Sequence, residues 1–333
     1  MFTCVKNLKI IFFLGVSFLL SVALFSCIFQ KPRKAVVIYV CIDQVYAEPV
    51  LKAFEQKTGI KVLPVYDVEA TKTSGMINRL IAEKPRPQAD VFWNNEFAQT
   101  FLLKERGVLA PYFSAVGRDI STRQKDEQGF WTAFGGRARV IIVNRQLVAE
   151  KDYPKSIYDL LDPKWPAERI AISSPVFGTS ATQVAAMYAL FGPEKARKFF
   201  KDLKERNVRI LDGNSVVKDL VAGGQLLWGL VDSDDAFTAI HEGKNIEMIF
   251  PDQETIGTLI IPGTVSLVAG APHPEEARQL IDYLLQPETE KELISAGLWL
   301  EDLAKVKNMD VKFSEVMQQA QTSRDDLKNI FVR

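Results

Sequence analysis

Residues 36–66 read VVIYVCIDQVYAEPVLKAFEQKTGIKVLPVY, and their reading decides the fold. Val36–Val40 is a short, continuous, β-branched run, the mark of a strand buried on both faces. A helix is expected near 47–57, with Val50, Leu51 and Phe54 on one face and Gly59 as its stop. Ile60–Tyr66 then reads as a second strand. Ser74 looks like the N-cap of a helix carrying Met76, Ile77, Leu80 and Ile81, which Pro85 and Pro87 end. Asp90–Trp93 is a third strand, and Phe97–Glu105 a helix stopped by Gly107. This strand–helix alternation calls for a mostly parallel sheet with helices on both faces.

The same grammar resumes downstream. Strands are expected at Arg137–Val143, Ile170–Ser173, Val208–Leu211 and Leu226–Val231. Helices are expected at 181–191, 194–206, from Ser215 to about 222, and near 234–242. Gly257–Ala269 is an extended segment broken at Pro262-Gly263, and the tail is helical at 274–285, 287–296 and 312–329. A chain of 333 residues has room for about two domains. The expected division is 34–134 plus 265–308 for one α/β lobe, 135–264 for the other, and 309–333 for a C-terminal helix, with the chain crossing between lobes more than once.

Composition excludes several function classes. Hydrophobic residues make up 47% and charged residues 25%, so the chain has a core and is neither disordered nor fibrous. Lys plus Arg equals Asp plus Glu at 41 each, which leaves no global basic field for a nucleic-acid partner. With two histidines, His241 and His273, and three cysteines, a His/Cys zinc site is not expected. No nucleophile elbow, phosphate-binding P-loop or dinucleotide fingerprint is present. The chain reads as a non-enzyme without a resident cofactor. An exported hydrolase working through a pair of acids is the less favoured alternative.

Lys6 and Lys9 precede an uncharged run from Ile10 to Phe29, which contains Leu24-Phe25-Ser26-Cys27. That pattern is a secretory signal over 1–26 with a lipoprotein cleavage box. Cys27 is then the lipidated first residue and 27–34 a linker at the outer face of a membrane. An uncleaved N-terminal anchor is the alternative, because the run is just long enough to span a bilayer. Cys41 would remain without an internal disulfide partner and is expected to be a buried structural thiol.

Three helix starts carry small and hydroxyl residues: Thr71-Lys72-Thr73-Ser74-Gly75, Gly178-Thr179-Ser180 and Gly213-Asn214-Ser215. Unpaired N–H groups and the positive end of the dipole suit such starts to an anion, although ordinary capping uses the same residues. Each follows a predicted strand, where ligands of open α/β sheets bind. Thr71, Thr73, Thr179, Ser180, Asn214 and Ser215 are the candidate anion side, and Arg137 and Arg139, flanking the start of a strand, could supply positive charge, with surface pairing the ordinary alternative. Asp232, Asp234 and Asp235 crowd three carboxylates behind the strand Leu226–Val231. They would repel one another unless compensated, so they read either as a solvated turn or as groups that face a ligand. Glu96, Asp67 and Glu69 hold equivalent strand-end positions and complete the candidate carboxylate side.

Several ordered segments carry a resemblance. They include Phe54-Glu55-Gln56-Lys57-Thr58-Gly59-Ile60-Lys61-Val62, Ala89-Asp90-Val91-Phe92-Trp93, Arg137-Ala138-Arg139-Val140-Ile141-Ile142-Val143-Asn144, Leu160-Leu161-Asp162-Pro163-Lys164-Trp165 and Ala271-Pro272-His273-Pro274-Glu275-Glu276-Ala277. The chain resembles the solute-binding proteins of bacterial ABC importers, in the ferric-iron-binding branch of the type 2 periplasmic binding proteins. The resemblance implies two lobes that close on a ligand, delivery to an ABC permease, no catalysis and a monomer. It implies Fe3+ or another hard cation as cargo, accompanied by an anion on loops that match 177–180 and 213–215. In ferric members two adjacent tyrosines bind the metal. Asp234 and Asp235 stand at the matching positions here and are the candidate metal ligands. Other members of the superfamily bind phosphorylated sugars or phosphonates, so a phosphorylated or polyhydroxylated small molecule is the alternative ligand.

Overall fold

The computed structural model describes residues 34–67, 74–119, 125–299 and 305–331. The signal segment, Cys27, Glu69, Thr71 and Thr73 lie outside the described residues. Along the chain the principal elements are β1 (Ala35–Val40), α1 (Gln44–Thr58), β2 (Lys61–Tyr66), α2 (Ser74–Ala82), β3 (Val91–Asn94), α3 (Phe97–Glu105) and β4 (Leu109–Ala110). They continue with β5 (Thr132–Asn144), β6 (Ile170–Ser173), α4 (Gly178–Phe191), α5 (Pro193–Glu205), β7 (Arg209–Leu211), α6 (Asn214–Ala222), β8 (Trp228–Asp232) and α7 (Ser233–His241). Last come β9 (Ile246–Ile249), β10 (Ile260–Val268), α8 (Pro274–Leu284), α9 (Pro287–Ser295) and α10 (Phe313–Phe331).

The strands form two α/β lobes. In the first, β1 pairs in parallel with β2 and β3, and β3 pairs antiparallel with β10. In the second, β6 pairs in parallel with β7 and β8, and β8 pairs antiparallel with β5. The long strand β5 serves both. Thr132–Ala138 meets β10, Arg139–Val143 meets β8, and the far end meets β9. The hydrogen-bonded order is therefore continuous, β2-β1-β3-β10-β5-β8-β6-β7, through the crossing strands.

A bulge sits where β5 and β10 cross. Pro262 has no N–H to give the ladder, and a proline inside a sheet is tolerated at such irregularities. The register slips there: Ile261 faces Arg137, but Gly263 faces Phe134. Gly135 and Gly136 thus oppose Pro262 alone. Gly135 has φ +56°, a left-handed backbone that a glycine adopts without a Cβ penalty.

Alternation along β1 builds two cores from one strand. Val36, Ile38 and Val40 pack with Val50, Leu51 and Phe54 of α1 and Leu280, Ile281 and Leu284 of α8. Tyr39 and Cys41 face the other way, onto Ile77, Leu80, Phe92 and Leu103. Each fully buried side chain of this size contributes about 1.5–3 kcal/mol. α1 ends as its sequence requires, with Gly59 at φ +72° donating its amide to Glu55 O at 2.8 Å. The second lobe repeats the scheme, with Ile141, Ile172, Trp228 and Leu230 facing α4, α5 and Leu327 and Ile330 of α10. Val140, Ile142, Val231 and Ala236 face Val217 and Val221 of α6. A further cluster joins the lobes: Phe97 of α3 packs with Ala185 and Ala186 of α4, Ile261 of β10 and Val316 of α10. Phe313 stacks on Phe97 at 4.3 Å between ring centroids. Among the described residues no helix is long and apolar enough to cross a membrane.

Candidate functional site

Three helices of the second lobe, α4, α6 and α7, begin directly after β6, β7 and β8. Their first turns meet around one carboxylate. Asp232, the last residue of β8, is 1% exposed. Its Oδ1 accepts from Arg139 Nη1 at 2.7 Å. Its Oδ2 accepts from Thr179 Oγ1 at 2.7 Å and from Asn214 Nδ2 at 3.0 Å, and lies 3.4 Å from Arg137 Nη1. Burial alone would raise the carboxyl's pKa. The charges of Arg137 and Arg139, with the hydrogen bonds, outweigh burial and hold it below the ordinary aspartate value.

Arg139 is the hub beneath. It is 1% exposed and reaches four further acceptors: Gln183 Oε1 at 3.1 Å, Asn214 Oδ1 at 3.0 Å, Ser180 Oγ at 3.2 Å and Thr179 Oγ1 at 3.4 Å. Every guanidinium nitrogen is therefore used, the condition under which a buried charge is tolerated. Ser173 at the end of β6 closes the network, 2.6 Å from Asn214 Oδ1 and within hydrogen-bonding reach of Ser180. On the other side of Arg139, a small cavity lined mainly by aliphatic and aromatic side chains such as Ile172, Met187 and Phe199 belongs to the lobe's core.

Above this buried pair lies a second tier, two and three residues past Asp232 in the first turn of α7. Arg137 Nη1 donates to Asp234 Oδ2 at 2.9 Å. Asp234 Oδ1 and Arg137 Nε are buried and have no hydrogen-bond partner among the described residues. Ligand oxygens of Asp232, Asp234 and Asp235 all lie within 4.8 Å of one another. Burial, opposed by Arg137, leaves the Asp234 carboxyl raised. Asp235 is pushed up to about 8, by burial first and then by the neighbouring Asp234 and Asp232 charges. Arg137 is held firmly protonated by Asp234 and Asp232, against the pull of its burial. Acidic residues in a first helical turn are favourable in themselves, which accounts for their tolerance here. It does not account for an unpartnered carboxylate oxygen.

The other candidate residues fall in different places. Glu96 caps α3, accepting from Ala98 N at 2.8 Å and Gln99 N at 3.3 Å, and from Thr182 Oγ1 of α4 at 2.7 Å. It ties the first lobe to the second, and burial raises its carboxyl despite those bonds. Asp67 lies at the end of β2 in the first lobe, 3.8 Å from the buried Cys41 Sγ. Ser215 is exposed on the first turn of α6. Arg137, read from the sequence as an anion-binding residue, is paired with carboxylates. Arg139, read with Arg137 as positive charge for an anion, is paired with Asp232 instead, and the residues that sequence reasoning left out of the site are Gln183, Ser173 and Thr182. The available signal was Arg139 itself, a charge inside an apolar strand that burial obliges to find partners.

Two α/β lobes joined by crossing strands, with polar side chains gathered at strand ends beside the junction, are the architecture of a type 2 periplasmic binding protein. The chain belongs to the bacterial extracellular solute-binding protein family, whose model matches residues 86–312. It is 27% identical over 256 residues to the major ferric iron-binding protein of Neisseria meningitidis serogroup A, covering 74% of each chain. Iron-bound HitA from Pseudomonas aeruginosa superposes with a TM-score of 0.79 at 22% identity, over 90% of this chain and 100% of that one. AfuA from Actinobacillus pleuropneumoniae, with exogenous fructose-6-phosphate bound, superposes at 0.76 and 24% identity, over 91% and 100%. Such likeness at low identity fixes the fold, and the family places the protein outside the cytoplasm as a solute-binding component of transport.

Proposed function

We propose that this protein is the lipid-anchored receptor of an ABC importer, capturing a hard cation, ferric iron foremost, and delivering it to a permease. The observation that carries the reading is the tier of Asp234 and Asp235. It offers clustered carboxylate oxygens, one of them buried without a partner, on the helix that opens at the lobe junction. Hard cations prefer oxygen donors, and a cation arriving at Asp235, whose carboxyl is pushed up to about 8 by burial and then by the Asp234 and Asp232 charges, would displace its proton and relieve that repulsion. The names of the relatives support the same cargo. Lipidation of Cys27, with the first 26 residues removed, would hold the protein at the outer face of a membrane. The lobes divide at 134/135 and 264/265. In support, Val265 and Leu267 pack into the first lobe's core while Ala138 and Ile260 pack into the second's.

A second reading, a phosphorylated or polyhydroxylated ligand, is favoured by the meeting of three helix starts, none of which has a side-chain cap bond. Native mass spectrometry of protein purified without chelator separates the two. A bound metal mass supports the first reading. An organic mass carried with no metal overturns it.

A further inference from the structure

The side-chain donors gathered at the starts of α4 and α6 do not stand open to a free anion, because the chain has placed its own anion among them. We infer that Asp232 is a specificity-determining residue: its carboxylate takes the place of a bound oxyanion at these helix starts and excludes phosphate from the cleft. The inference rests on the reading of this cleft as the solute site and narrows its ligand class to cations that arrive without a phosphate held there.

The observations are these. The side chains that would otherwise hold an oxyanion are the Thr179 hydroxyl, the Asn214 amide and the Arg139 guanidinium. All three direct donors at Asp232, at 2.7, 3.0 and 2.7 Å. Asp232 and Arg139 are both almost completely buried, so neither can swing aside without breaking the network. Arg137 lies 3.4 Å from Asp232 and 2.9 Å from Asp234, so its charge is shared between two carboxylates. An arriving phosphate would find these side-chain donors spent and a fixed negative charge at the centre of the site. In so sheltered a place that repulsion is screened far less than in water. The same placement explains why a carboxylate is acceptable at 232. Three helix N-termini and two arginines surround it with positive potential.

The test uses inorganic phosphate as the probe, on the purified wild type and on Asp232→Asn, which keeps the shape and removes the charge. Thr179 can accept as well as donate, so the new amide can be met. Wild type should show no saturable phosphate dependence in calorimetry or in melting temperature. Asp232→Asn should gain one phosphate site, with a melting temperature raised by roughly 3–6 °C at about 100 times its Kd. Adding Thr179→Val to Asp232→Asn should weaken that gain at least severalfold. If Asp232→Asn folds only in phosphate buffer, the rescue is itself the expected result, and Asp232→Ser repeats the test with a smaller side chain. Saturable phosphate binding by wild type that Thr179→Val abolishes overturns the inference. So does the failure of both Asp232 variants to respond to phosphate. Cation binding by wild type is measured separately. Its absence would sink the proposed cargo while leaving the phosphate comparison standing.

Discussion

Replacing Asp235 by Asn should make the ligand-free protein more stable at pH 8 and change it far less near pH 4.5. The folded carboxyl is raised to about 8 from 3.8. A raised acid contributes stability that is fully present below the unfolded value and is lost as pH climbs through the folded one. At 1.36 kcal/mol per pH unit, the gap corresponds to roughly 6 kcal/mol if Asp235 stood alone and dry. It does not, since the side chain is partly solvated and its charge interacts with those of Asp234, Asp232 and Arg137. About half, ~3 kcal/mol, is the reasonable expectation. For a chain of this size that is a melting-temperature difference of roughly 5–8 °C at pH 8. The assay is the wild-type minus Asp235→Asn difference in melting temperature at half-unit steps from pH 4.5 to 8.5, in chelator. Taking the difference cancels other titrating groups, such as Glu96. The difference should open steadily between pH 5 and 8 with the variant the more stable. A flat difference across that range would refute the account of a buried cluster of mutually repelling carboxylates.

Other consequences follow from contacts already described. Arg139→Met should cost about 3–5 kcal/mol in denaturant titration, because it strands Asp232 as a buried charge. Adding Asp232→Leu should return much of that loss. Thr182→Val removes the bond to a buried carboxylate that links the lobes, 2.7 Å long, and should cost about 1.5–3 kcal/mol by the same measurement, with the core of each lobe unaffected in hydrogen exchange. Gly135→Ala should lower the melting temperature by several degrees. The new Cβ would lie 2.1 Å from the Trp299 ring, on a backbone with φ +56°.

Much of the fold was legible because its strands are buried on both faces and therefore apolar throughout. Val36–Val40, Ile170–Ser173 and Leu226–Val231 announced themselves as strands, and the structure places β1, β6 and β8 there within two residues. Pro262-Gly263 marked an irregularity that became the bulge between lobes. What hid were elements whose sequence carries no period. β4 is two residues long, and β9, four residues with Glu247 among apolar neighbours, is too short to stand out as a strand. β5 begins at Thr132, five residues before its apolar run, because pairing with β10 extends a segment that Gly135 and Gly136 disguise as a loop.

The site was legible in type but not in assignment. The sequence marked Asp232, Asp234 and Asp235 as carboxylates needing compensation, yet it could not say what compensates them. Arg137 and Arg139 are two residues apart and so point to one face of β5, toward β8 and the start of α7. Which acid each meets depends on the antiparallel register that sets Arg139 opposite Asp232. Glu96 looked like a ligand-facing acid because it follows a strand. The structure gives it to the N-cap of α3 and to Thr182, since a buried helix start with an acid at hand takes that acid for itself.

The central claim, that a hard cation is held on the α7 start, is tested most directly by titrating chelator-stripped protein with ferric citrate and counting bound iron. Wild type should bind one equivalent. The double variant Asp234→Asn, Asp235→Asn, still folded by circular dichroism, should lose affinity by at least about 100-fold, as removal of two charged ligands demands. Unchanged iron binding by the double variant, or no iron binding by the wild type, would contradict the account.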